Sequence, residues 1–383
     1  MPFNFRFFFR LMYRSVFTAG GTHARLTKKR VLFLLIFYAA FIPWQLVNWF
    51  FLQLDYVLFP GFRSVRVREP VFIIGVPRSG STHLMRVLAQ DEATFACAKL
   101  WEVLLAPSIT QRTLVRALAR VDARLGSPFR RWLDAWEERA FRGSDTYHKI
   151  RLRRPDEDEL NLVPIFSAIH LAFLFPFLDE FERYIYFDSR LGEGEKARFM
   201  GFYRRAAQRT LYVYGADKRL LSKSPAHSGR VATLAELFPD ARFIVAVRDP
   251  AEVLPSTMSL FSFQWSLFAD PLEAYPFLDE MVEMTQHWYE HPFTCLKEGR
   301  EQRYAVVRYD DLTRDVERTV TEAYAALGLE VSPAYARALA EEAAKAQRYE
   351  SDHTYSLREI GMSRDELQDV YRDVMERFGY GNG

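Results

Sequence analysis

The stretch Val71–Leu88, VFIIGVPRSGSTHLMRVL, decides the fold class. Its first five residues, Val71 to Gly75, carry no charge and predict a buried strand. Val76 to Ser81, with Pro77 and Gly80, predicts a tight loop, and the apolar positions Leu84, Val87 and Leu88 predict a helix beyond it. A strand that enters a helix through such a corner turns unpaired first-turn N–H groups outward. The helix dipole adds to them, so the corner suits an anion. Gly75 and Gly80 have the Gly-x4-Gly spacing of a phosphate-binding P-loop, yet Ser81 stands at the place of its Lys and Thr82 follows. The nearby cation is Arg78, inside the loop. The plain alternative is an ordinary strand–turn–helix corner.

Downstream, the same alternation recurs. Arg219–Ser224, RLLSKS, predicts a short strand ending in Lys223, and Pro225 and His227 open a helix over Ser228–Phe238. Ala241–Val247, ARFIVAV, predicts a second buried strand with Arg248-Asp249-Pro250 at its carboxyl end, followed by a helix that carries Ser256. A fourth strand is predicted at Tyr304–Arg308. Such alternation implies an α/β fold, a P-loop-like three-layer sandwich around a central, mainly parallel sheet. Ligands bind such sheets at the carboxyl ends of the strands. Three strands therefore deliver Arg78, Lys223 and Arg248 to one edge, a set that suits a ligand with several negative groups.

Residues 1–62 differ from the remainder, 63–383, and predict a membrane-associating segment. MPFNFRFFFRLMYR interleaves Phe with Arg, as cationic segments at a lipid interface do. Arg25, Lys28, Lys29 and Arg30 then precede an apolar run, Val31–Leu52, long enough to span a bilayer. The basic flank predicts an N-terminus on the cytoplasmic side. Pro43 divides the run, which leaves three readings: a single span, a helix broken at Pro43 that stays in one leaflet, or buried helices packed on the globular domain. No small-residue cleavage site follows the run, so a signal peptide fits poorly.

Composition narrows the classes. The 51 basic and 49 acidic residues of the 383-residue chain give a net charge of +2, which makes no case for nucleic acid. Two isolated cysteines, Cys97 and Cys295, have no metal-site spacing. Tyr147–Leu160, YHKIRLRRPDEDEL, reads as a solvated charge run. Asn161–Phe187 is rich in Phe, Leu and Ile, suiting either core or the lining of a greasy pocket.

Taken together, these residues resemble the PAPS-dependent sulfotransferase family. Gly75-x-Pro77-Arg78-Ser79-Gly80-Ser81-Thr82 is similar to that family's loop for the 5′-phosphosulfate, usually written PRSGTT or PKSGTT. Arg248 and Ser256, eight residues apart, have the order and spacing of the pair that grips the 3′-phosphate. Lys223-Ser224-Pro225-x-His227, Phe238-Pro239-x-Ala241-Arg242 and Trp101-Glu102 resemble the bacterial-type branch, as do His353-x-Tyr355-Ser356-Leu357 and Gly361. The resemblance covers roughly residues 70–375 and is loose in the middle third. Two departures are Ser81 for the commoner Thr, which keeps the hydroxyl, and Val247 where that branch often has His.

The resemblance implies in-line transfer of a sulfuryl group from PAPS (3′-phosphoadenosine 5′-phosphosulfate) to an acceptor hydroxyl, with PAP as product and no metal. Pro77, Arg78, Ser79, Gly80, Ser81, Thr82, Arg248, Ser256 and Arg358 would bind the donor. Arg78 and Lys223 would neutralise the departing bridging oxygen. For the general base, Glu102 and His227 are close rivals, with His148, Glu157 and Glu159 weaker. His353 and Arg358 would close over the nucleotide. The membrane segment and the aromatic stretches suggest a lipid-like or otherwise apolar alcohol as acceptor. The other classes are a P-loop kinase or triphosphatase needing Mg²⁺, and an idle membrane scaffold. PAPS is made in the cytosol, which favours a membrane-associated protein with its catalytic domain on the cytoplasmic face over a single-pass protein with a lumenal domain.

Overall fold

Alternate residues of strand β1 (Val71–Gly75) enter two different cores, and this sets the architecture. Phe72 and Ile74 join one apolar cluster and Val71 and Ile73 the other, so β1 is covered on both faces. The computed structural model describes residues 2–141, 151–296, 303–346 and 356–380. With β2 (Phe95–Ala96), β3 (Arg219–Lys223), β4 (Arg242–Val247) and β5 (Tyr304–Arg308), β1 forms a five-stranded sheet of order β2-β3-β1-β4-β5. Every pairing is parallel; Val71 lies beside Leu221 on one side and Arg242 on the other. After β1 the chain builds one side of the sheet, then crosses to β4 on the other. The switch point flanks β1, where open α/β sheets bind ligands.

Helix α3 (Ser81–Leu88) follows β1 directly and packs on the Val71 face together with the helices Val316–Leu327 and Pro333–Ala346. The helices Val231–Leu237, Pro250–Phe268 and Leu278–Cys295 supply the opposite face. The edge pair β2–β3 was not apparent from sequence, because β2 has two residues and no periodicity to show.

The N-terminal segment folds as α1 (Phe5–Phe17) and α2 (Lys28–Leu58), and it shares the larger core: Phe7, Leu11, Leu34 and Phe41 pack in one cluster with Phe166 and Phe181. The expected break at Pro43 is absent. The helix runs through Pro43, whose ring faces outward, while Gln45 and Asn48 anchor the next turn to the body. By length and composition α2 could cross a bilayer, which is weak evidence on its own. Its buried residues, Arg30, Leu34, Phe41, Gln45, Asn48, Leu52 and Asp55, form one stripe at helical spacing.

Helices α4 (Leu100–Leu104), α5 (Ile109–Arg124) and α6 (Pro128–Phe141) follow β2. The N-terminus of α5 is held on α2: Asp55 accepts from the Ile109 and Thr110 amides, each at 2.9 Å, and from Arg209 Nε at 2.8 Å.

Candidate active site

The loop after β1 turns through two left-handed residues, Arg78 (φ 63°) and Gly80 (φ 81°), before α3 begins. Gly80 is required on two counts. A side chain there would be strained, and a Cβ would lie 2.7 Å from the Tyr309 ring. Ser79 is buried and donates to Val76 O at 2.7 Å, which ties the loop to its own strand end.

Pro77, Arg78, Gly80, Ser81 and Thr82 line one side of a cavity at the carboxyl edge of the sheet. Lys223, at the end of β3, and Arg248, just past β4, line it too, so the three cations read from the sequence do share one site. Arg248 stacks over the Tyr309 ring, 4.0 Å from its centroid, donates to Arg78 O at 3.2 Å, and pairs with Glu252. Ser256 lies just behind: its Oγ accepts from Arg78 Nε at 2.9 Å. Arg358 lies outside the cavity lining, exposed on the short segment Leu357–Ile360 beside Ala251.

The structure differs from the sequence reading over the candidate bases. Glu102 is fully buried and does not line the cavity. Its oxygens accept from the Lys99 amide, Arg116 and Tyr214, each at 2.9 Å, so it caps α4 and neutralises Arg116. His227 is also fully buried beneath the site, its Nε2 3.1 Å from Asp158. Asp158 in turn accepts from Tyr203 and Ser222. His148 and His353 lie outside the described residues.

Among the described residues, the carboxylate that lines the cavity is Glu157. The carboxyl end of the expected charge run folds inward: Asp156 is buried and Asp158–Ile165 forms a 3-10 helix with Asp158 and Glu159 buried, whereas Arg153 and Arg154 are exposed and residues 147–150 lie outside the described residues. Glu157 accepts from Lys223 Nζ at 2.9 Å and from Ser224 Oγ at 3.0 Å, and its other side meets His170 Nε2 at 2.9 Å. His170 Nδ1 meets Glu159 at 2.7 Å, and Glu159 also takes Arg230 at 3.1 Å. Although burial opposes charge on Glu157, Lys223 and His170 hold it well below the ordinary carboxylate range. The two carboxylates push His170 up to about 10, so it is a cation at neutral pH. Sequence reading missed His170 entirely; its only signal was a polar residue isolated in an apolar stretch.

The remaining wall is apolar. Ile169 and Phe173 face Leu260 and Phe261, with the Phe173 and Phe261 rings 4.6 Å apart. The cavity therefore has a cationic end and an aromatic end, with Glu157 and His170 between them.

Residues 70–333 match the Sulfotransferase family. Two curated relatives, the omega-hydroxy-beta-dihydromenaquinone-9 sulfotransferases Stf3 of Mycobacterium bovis and Mycobacterium tuberculosis, are each 32% identical over 171 residues, 43% of this chain and 42% of theirs. The chain thus matches about four tenths of the length of these relatives. Among solved structures, sulfotransferase STF1 of Mycobacterium tuberculosis superposes with a TM-score of 0.68, covering 97% of this chain and 92% of that one at 19% identity. Sulfotransferase STF9 of Mycobacterium avium gives 0.67 over 85% and 81% at 19% identity. At that identity the likeness speaks to the fold alone.

Proposed function

The chain belongs to the sulfotransferase family, and from that premise we propose that it moves a sulfuryl group from PAPS to the hydroxyl of a lipid-like acceptor. The observation that carries the reading is the polarity of the cavity, cationic at the Arg78 end and aromatic at the Phe261 end. The residues present fit the donor. Gly80 leaves no room for a side chain under Tyr309, which keeps the loop turned so that the first-turn amides of α3 can meet a phosphate. PAPS when bound supplies an activated sulfuryl group whose departure leaves negative charge on a phosphate oxygen.

Around that chemistry this chain's own side chains have distinct work. Pro77 to Thr82 shape the loop, with Ser79 bracing it from behind. Arg248 and Ser256 flank Arg78 and would hold the second phosphate of the donor. Lys223 and Arg78 stabilise charge on the leaving side, where fixed cations in a water-poor pocket act without reorganising. Glu157 is the base: it lines the cavity between the two ends, whereas Glu102 and His227 are sealed off from it. Without donor its proton affinity is low because Lys223 and His170 share it. A donor phosphate would draw Lys223 away and leave His170 as the cation on Glu157, which would then be the more basic and placed to take the acceptor proton. His170 holds the carboxylate in place from the other side.

The aromatic wall and the menaquinone named for the curated relatives support a lipid-like alcohol. The test is transfer of labelled sulfate from PAPS to a membrane-lipid extract, with the product identified by mass spectrometry. The reading requires label in a lipid product, abolished in Lys223→Ala. Label confined to water-soluble acceptors would overturn the acceptor class.

A further inference from the structure

Helix α2 reverses the usual arrangement of a surface helix, which hides apolar residues and shows polar ones. Four of its polar residues point inward and are bonded to the body. Arg30 donates to Leu174 O and Phe268 O, Gln45 donates to Pro164 O, Asn48 accepts from Gln111, and Asp55 pairs with Arg209. Every exposed residue between 31 and 50 is apolar, among them Leu32, Leu35, Ile36, Leu46, Val47 and Phe50. That face is about 30 Å long at the rise of an α-helix. Helix α1 extends it: Phe5, Phe9 and Phe17 are exposed, and the Phe5 ring packs against Trp49 of α2 at 6.2 Å. Monomeric soluble proteins seldom expose a contiguous apolar surface of this extent.

Charge identifies the occupant. The exposed basic residues Arg6, Arg10, Arg25 and Lys28 flank the apolar residues of α1 and α2 in sequence, Arg10 also pairing with Glu180 and Arg25 donating to Asp270 O, the pattern of an interfacial helix on anionic lipid. We propose that the outward face of α2, with the exposed aromatics of α1, rests in one leaflet of an anionic bilayer and holds the protein there without crossing it. Crossing is opposed by the anchors: α2 is fastened to the body from Arg30 to Asp55, so it cannot stand in the bilayer apart from the domain it carries.

The placement bears on the acceptor, and in this part the inference rests on the function proposed above. Both segments that make the aromatic end of the cavity sit on α2. Ile169–Phe173 continues into Phe175, whose ring meets Phe37 at 5.2 Å. The helix bearing Leu260 and Phe261 ends at Phe268, whose ring meets Phe33 at 4.9 Å. A lipid lying in the leaflet thus has the acceptor end of the cavity beside it.

The full-length chain is tested by flotation with vesicles of phosphatidylcholine, alone and mixed with phosphatidylglycerol. The wild type is expected to float with the anionic vesicles and to be released by salt. A triple variant, Leu35→Glu, Leu46→Glu and Phe50→Glu, is expected to lose about ten-fold or more in binding. Thermal stabilisation by PAP, unchanged in that variant, shows that the fold is intact. The proposal is overturned if the wild type ignores vesicles, if the variant binds as well as the wild type, or if the substitutions split a dimer that has no vesicle affinity. The flotation contains neither donor nor acceptor, so its failure leaves the transfer chemistry standing. Conversely, loss of PAP binding leaves the membrane surface standing.

Discussion

Glu157 separates the two ends of the cavity, and its neighbours make specific predictions. Glu157→Gln is expected to lower kcat by about 10²- to 10⁴-fold, the usual worth of a general base, while PAP binding is retained. Glu102→Gln, which loosens a helix cap and a partner of Arg116, is expected to lower Tm with kcat nearly unchanged; steady-state kinetics of the two variants decide between them. His170 gives a pH prediction. Its folded pKa of about 10 lies above the ordinary value of 6.5, so its stabilising effect is full below pH 6.5 and is lost as pH rises towards 10. The depressed Glu157 and Glu159 act in the opposite direction, stabilising above the usual carboxylate value of 4.5 and losing that effect in acid. The Tm difference between wild type and His170→Gln should therefore be widest near pH 5–6.5 and close as pH approaches 10. A difference that stays constant through that range would contradict the assignment. Arg248→Ala is expected to weaken PAP by about 10- to 100-fold, as loss of a charge-assisted contact does.

At the scale of elements, what could be read from the chain and what could not have physical reasons. β1, β3, β4 and β5 are short, apolar and bounded by polar residues, and the cations at three of their ends follow from parallel topology alone. That was enough to bring Arg78, Lys223 and Arg248 together. Glu157 and Glu159 ranked below Glu102 and His227 because a mixed charge run is ordinarily solvated, and only the fold shows Arg230 and His170 waiting for those acids. The helix was expected to break at Pro43, but proline removes one backbone hydrogen bond, and α2 continues as a helix with buried anchors on both sides of it. Those anchors can be tested. Asp55→Ala strands Arg209, a buried cation, and should cost about 3–5 kcal/mol in chemical denaturation, since removing one partner leaves the other uncompensated.

At the scale of the molecule, the account joins a donor cradle at the sheet edge to an apolar cavity end resting on α2. Its central claim is that one cavity presents the sulfuryl group of PAPS to a hydroxyl on a lipid. The most direct measurement is transfer of ³⁵S-sulfate from PAPS into lipid extract by the full-length chain, run beside Glu157→Gln and Lys223→Ala. The account predicts label in an organic-phase product with the wild type, and loss of it in both variants while PAP still stabilises Glu157→Gln. Lipid labelling that survives Glu157→Gln at the wild-type rate, or a wild type that binds PAP yet labels no lipid, would contradict it.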